Sequence, residues 1–169
     1  MISKLRIILE TEEDVFRDIE IETDNSLLQL HQGIKDAFDL KGEEMSSFYL
    51  SNDDWFQGSE IPLVDVSENE NEKVETMSEI SIQQVIPNKG NKMIFVYDFL
   101  SMWTFYIEVV ETDVISVNSD LPAVVFSYGQ RPENAPENEM FGDLDMDDED
   151  DDDDDFLDFS DNYEESDYW

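Results

Sequence analysis

The order of hydrophobic patterns predicts an α+β domain, a mainly antiparallel sheet with one main helix packed on it. Three observations carry this reading. Two period-two runs, over residues 5–9 and 15–21, stand a polar turn apart. A single period-3.6 run follows them over residues 27–38. Two strongly β-forming runs, KMIFVYDF (92–99) and WTFYIEVVE (103–111), then lie only three residues apart.

In the first run Leu5, Ile7 and Leu9 alternate with Arg6, Ile8 and Glu10. In the second, Val15, Arg17, Ile19 and Ile21 alternate with Phe16, Asp18, Glu20 and Glu22. Alternation of this kind marks strands, and the turn TEED (11–14) between them makes an antiparallel hairpin. Asp24, Asn25 or Ser26 caps the helix that follows. Its apolar face is Leu27, Leu30, His31, Ile34, Ala37 and Phe38, and Gly42 is the expected stop. Phe48, Tyr49 and Leu50 form a third strand, which completes a β-grasp-like ββαβ opening. Residues 51–60, SNDDWFQGSE, read as a turn-rich excursion, and 66–76, VSENENEKVET, as a charged loop. Ile80, Ile82, Val85 and Ile86 fit a short helix ended by Pro87, and residues 88–91 a tight turn. The two strong runs pair across Leu100, Ser101 and Met102 as a second hairpin. Residues 114–117 and 123–126 are expected as short edge strands.

The domain is expected over residues 1–127, a linker containing Pro132 and Pro136 over 128–141, and a disordered acidic-aromatic tail over 142–169. Blocks of like charge repel one another and bury too little apolar surface to fold alone. The tail is not pure acid: Phe156, Leu157, Phe159, Tyr163, Tyr168 and Trp169 are spaced through it. Such a segment can dock in a basic, partly apolar groove.

Charge restricts the partners. The 169 residues hold 45 acids against nine bases, a net charge of −36. Sixteen of the acids lie in residues 142–169, so residues 1–141 keep 29 acids and all nine bases and are strongly acidic too. Phosphate binding needs clustered Lys and Arg, so direct nucleic-acid binding is disfavoured, as are anionic membrane surfaces. Basic proteins and divalent cations are the favoured partners. No cysteine is present, which removes disulfides, thiolate metal sites and thiol nucleophiles. The N-terminal MISKLRIILETEED has no signal-peptide core and no run nears 18 apolar residues, so a cytoplasmic protein is expected.

Few residues suggest chemistry. His31, the single histidine, borders the apolar helix face and reads first as a packed side chain hydrogen-bonded to a backbone or strand residue, and otherwise as a general base or ligand. Asp98 reads as an acceptor that caps the following turn, or else as a site carboxylate beside Trp103. A bond from Asp98 to Arg17 or His31 would tie sheet to helix. Trp55, with Phe56, Asp53 and Asp54, forms either a recognition loop or a plug on the sheet. Asp143, Asp145 and Asp147 have calcium-loop spacing, but Asp148 stands where the loop needs Gly and Asp154 where it needs Glu. No phosphate loop, zinc helix or serine elbow is present, so no metal, cofactor or catalytic residue is assigned.

Three segments together resemble one family. They are FRDIEIETDNSLLQLHQGIKDAF (16–38), SFYL (47–50) and FVYDFLSMWTFYI (95–107). In order and spacing they are similar to the plasmid pRi ORF-three-like family, also labelled insertion-element passenger or TnpR-like proteins. The third segment resembles that family's Tyr-Asp-Phe-Gly-Asp-x-Trp-x-His run, and the likeness extends over residues 1–135. This chain has Leu100-Ser101 in place of Gly-Asp, and Phe105 in place of His. The resemblance implies an association with mobile genetic elements and no agreed activity.

Three readings follow. The chain is a non-enzymatic interaction module whose tail binds a basic partner. Alternatively it is an enzyme or metal-dependent factor with a site around Asp98, Trp103, His31 and Arg17. Or it is a domain whose tail covers its own sheet.

Overall fold

A computed structural model describes residues 1–68 and 70–136. All seven strands lie in one sheet, in the order β4-β3-β5-β6-β1-β2-β7, and every neighbouring pair is antiparallel. The strands are β1 (Ile2–Leu9), β2 (Phe16–Glu22), β3 (Ser46–Ser51), β4 (Glu60–Pro62), β5 (Lys92–Tyr97), β6 (Trp103–Glu111) and β7 (Ala123–Tyr128). The main helix, α1, is Leu27–Phe38, and α2 is the single turn Ile82–Val85. The expected α+β class, the ββαβ opening and the second hairpin are all present.

Local chemistry explains the helix. Ser26 caps α1 through a reciprocal pair: the Gln29 amide donates to Ser26 Oγ, and the Ser26 amide donates to Gln29 Oε1. The Leu27 amide donates to the Ile80 carbonyl and the Ile82 amide to Asn25, so the segment before α2 is stitched to the start of α1. At the other end Asp39, not Gly42, adopts the left-handed conformation that stops the helix, with φ 55°. An aspartate tolerates that region because its short polar side chain bonds locally, here with Lys41. Gly33, inside α1, sits against Pro122; a Cβ there would come within 3.1 Å of its ring.

α1 buries Leu27, Leu30, Ile34 and Phe38 on one face of the sheet. Opposite them stand Leu5, Ile7 and Leu9 of β1 and, across the sheet, Phe48, Phe95 and Phe105. Register places Phe48, Phe95 and Phe105 side by side, and Phe38 of α1 meets Phe105 with ring centroids 4.8 Å apart. These aromatic contacts are the centre of the core.

Three expectations are corrected. Residues 114–117 form no strand; Ile115 and Val117 stand more than 90% exposed, because β7 takes the place beside β2. The excursion over 51–60 ends in a short strand, β4, which carries no alternation long enough to read. Asp98 lies just beyond β5 in a turn, with φ 66°. The residues Met1–Pro136 form one compact unit, and no helix in it is long and apolar enough to cross a membrane.

Phe95 touches Phe48, Phe105, Tyr97 and His31. Phe95→Ala is therefore expected to lower unfolding stability by about 3–5 kcal/mol, measured by urea denaturation. A loss below about 1 kcal/mol would show that the core closes over the gap.

Candidate functional site

The residues singled out in the sequence fall in two places. Most lie at the end of the sheet where β5 hands over to β6. There Asp98 organises the turn: its carbonyl accepts from the Ser101 and Met102 amides, and its Oδ1 accepts from the Leu100 amide at 3.2 Å. That is the Asx bond expected of a turn-capping aspartate. Among the described residues Asp98 makes no bond to Arg17 or His31.

Arg17 points from β2 to the helix side. It donates to the carbonyl of Ala37 in α1 and to those of Phe16 and Tyr128, and lies over the Phe38 ring at 4.9 Å. Burial pulls its pKa below the usual guanidinium value. Arg131 completes the arrangement from beyond β7. Its Nε donates to the Phe38 carbonyl and its Nη2 to Asp39, while its guanidinium covers Trp103 at 5.2 Å. Lys35 donates to the Gly42 carbonyl and to Glu43. Three cations thus satisfy the carbonyls at and just past the C-terminus of α1, its negative dipole end. Sequence reading placed Arg131 in a linker; the available signal was that it is the last base in the chain.

His31 is 4% exposed and packs edge-on against Phe95 at 5.6 Å. Neither ring nitrogen has a hydrogen-bond partner among the described residues. Burial and the neighbouring Lys35 push its pKa down to about 4, with Glu43 opposing weakly. The imidazole is therefore neutral near pH 7 and packed among rings beside an ammonium.

The second place is the face of the sheet turned away from α1. Period-two alternation and register align Tyr49, Ile94, Tyr106, Ile8, Phe16 and Tyr128 in a line across six strands. A parallel line runs Lys92, Glu108, Arg6, Asp18 and Phe126. Charges alternate along it: Arg6 grips Asp18 through two bonds of 2.8 and 2.9 Å, and Lys92 reaches Glu108 and Asp53. Trp55 lies on this face, its ring against Tyr106 at 5.0 Å and beneath the Lys92 ammonium. Its loop is held by Asn52, whose Oδ1 accepts from the Asp54 and Phe56 amides. Trp55 is thus the plug, while Phe56 stands 69% exposed. Burial and the nearby Glu10 carboxylate push the Tyr106 phenol up to about 12.

The candidates therefore do not converge on one centre. Asp98, Arg17, Trp103 and His31 hold the helix and the hairpin, and Trp55 covers the opposite face. Among the described residues no group of three or more His, Asp or Glu side chains could hold a metal ion. Phe156, Leu157, Phe159, Tyr163, Tyr168, Trp169 and the Asp143, Asp145 and Asp147 spacing lie outside the described residues.

The comparisons add a family. The profile described as plasmid pRiA4b ORF-3-like protein matches residues 1–167 of the chain. The chain belongs to that family. Among solved structures it resembles the crystal structure of a protein of unknown function from Methanosarcina mazei Go1. The two are 14% identical with a TM-score of 0.57, over 75% of this chain and 68% of that one. At that identity the likeness shows the fold alone. No curated protein matches the chain.

In this family member the resemblance run over residues 95–107 is the β5–β6 hairpin. Leu100, where a Gly-Asp pair would begin, is 96% exposed at the tip of the turn. Phe105, in the place of a histidine, is fully buried between Phe38 and Phe95. The first departure takes a carboxylate from the exposed turn and leaves a serine hydroxyl, and the second puts an apolar ring in the core.

Two outcomes are expected from the helix end. Arg131→Ala should lower stability by about 1.5–3 kcal/mol, the loss of charged hydrogen bonds to the Phe38 and Asp39 carbonyls, and Arg131→Lys should recover only part of it. For His31 the sign is set by its depressed folded pKa of about 4. The unfolded imidazole takes up a proton near pH 6.5, before the folded one does. Stability of the natural chain relative to His31→Leu should be full above that pH. It should fall by on the order of 3 kcal/mol as pH drops toward 4, then level off. Parallel stability curves for the two proteins would contradict the buried neutral state.

Proposed function

We propose that this family member is a non-enzymatic interaction module that binds a basic protein through its acidic-aromatic segment, residues 142–169. The observation that carries the reading is the disposition of cations. Residues 1–136 hold 27 acids and nine bases. Eight of those bases are already engaged with carboxylates, carbonyls or rings: Lys4, Arg6, Arg17, Lys35, Lys41, Lys73, Lys92 and Arg131. The body therefore presents acid outward and offers polyanions no open basic patch. The segment over 142–169 adds 16 acids and large apolar side chains, the composition that docks on a basic, partly apolar surface. Long-range attraction would speed encounter and make it salt-sensitive, while the aromatics would supply what salt does not screen. The structural roles of Asp98, Arg17 and Trp103 support a binding module over an enzyme. The plasmid in the family's description fits a partner encoded with a mobile element.

Affinity capture from a cytoplasmic extract tests this. The full chain and a form ending at residue 141 are compared at low and at physiological salt. The full chain is expected to retain a basic protein at physiological salt, and the shortened form to lose it. Equal retention by both, or by neither, would refute the assignment.

A further inference from the structure

The two edges of the sheet are built differently. β4 ends it on one side with only three residues, Glu60, Ile61 and Pro62. Short length, proline and charge are the devices that stop a sheet edge from pairing again. β7 ends the other side with six residues, AVVFSY, without proline or charge, and its one irregularity is a bulge at Val125. Although 32% of the chain is charged, this edge has no charged residue. Val124, Val125, Phe126 and Tyr128 are 44, 38, 48 and 53% exposed.

The register of β7 makes it apolar on both faces. Val124 stands opposite Ile19 and Phe126 opposite Asp18, with Val125 as an extra residue between them. Without that bulge Val124 and Phe126 would share a face. With it, Phe126 and Tyr128 flank Phe16 on the face away from α1, at 5.8 and 5.6 Å. Val124 turns to the α1 side instead. There a groove of about 280 Å³ runs between strand and helix, its apolar lining including Ile19, Ala37, Pro122 and Val124 and its polar lining Gln29, Gln32 and Asp36. Asp36 accepts from Gln32 and, among the described residues, meets no cation.

We infer that β7 is a strand-addition site for an extended segment of the basic partner, one that alternates cationic and apolar residues. Backbone bonds to this edge, which no described strand pairs with, would supply affinity, and alternate side chains specificity. On one side a Lys or Arg stem lies along Val124 and brings its charge to Asp36 and the two glutamines. On the other side an apolar residue lies beside Phe126 and Tyr128. This rests on the reading that the partner is basic, which the charge of residues 1–136 favours.

The test uses the full chain and a synthetic peptide of alternating Lys and Val, about ten residues long to match and overhang β7. A peptide with Glu in place of Lys is the control. The Lys peptide should slow hydrogen exchange at the amides of residues 123–128, and the Glu peptide should not. Val125→Lys, at an exposed bulge position, should weaken binding by about tenfold or more through like charge on the edge. Asp36→Asn should weaken it by about threefold. Binding without protection of 123–128, or binding unchanged by Val125→Lys, would mean general charge attraction and would overturn the site. So would protection that appears with protein concentration alone, which marks a second copy. Protection of 123–128 that is present without any peptide and is lost when residues 142–169 are removed would mark the chain's own segment and equally overturn it. Hydrogen exchange separates the two proposals: if the full chain retains a basic protein from extract while the Lys peptide leaves residues 123–128 unprotected, the partner reading stands and the β7 site falls.

Discussion

The C-terminus of α1 is where this fold is held. A helix end exposes carbonyls that point at no partner, and in a chain so rich in acid those carbonyls face a negative surrounding. Arg17 from β2, Lys35 from α1 itself and Arg131 from beyond β7 all donate there. A third of the chain's nine bases are thus committed to one helix end. The consequence reaches outward. Arg17 also bonds Tyr128 at the end of β7, and Arg131 covers Trp103 at the start of β6. One electrostatic arrangement therefore fixes the helix, the edge strand and the second hairpin relative to one another.

The sheet divides labour between its faces by the simplest rule of strands, alternation. Leu5, Ile7 and Leu9 meet the helix, while Arg6 and Ile8 look away from it. Because register carries that alternation across all strands, residues far apart in sequence come into line, as with Tyr49, Tyr106 and Tyr128. The lines on the outer face are neither a second core nor an ordinary charged surface. Their ions are paired within the line and their rings are only half covered.

Much of this was legible in the sequence, for physical reasons that also mark where legibility ended. β1, β2, α1, β5 and β6 are long and strongly periodic, so their patterns outweigh local noise. The turn role of Asp98 was legible because an Asx bond is made within three residues. β4 was not, since three residues cannot show a period. Nor was the work of Arg131, because its acceptors lie more than ninety positions away and no local pattern points to them. Gly42 gave a misleading stop signal. It does adopt a positive φ, but Asp39 reaches the left-handed region first. His31 is packed as the helix periodicity implies, but the hydrogen bond expected of it is missing among the described residues, because rings from the strands stand below it, and only tertiary structure decides that.

The unequal edges have a consequence for stoichiometry. A chain that offers two open edges can join head to tail without limit, and such heterologous contacts build fibres unless they close into a ring. Here β4 is too short and too interrupted by Pro62 to accept another strand. Whatever pairs with β7 finds no second place to continue, so edge association stops after a single addition. The protein can expose an apolar, uncharged strand because its opposite border makes growth terminate at one.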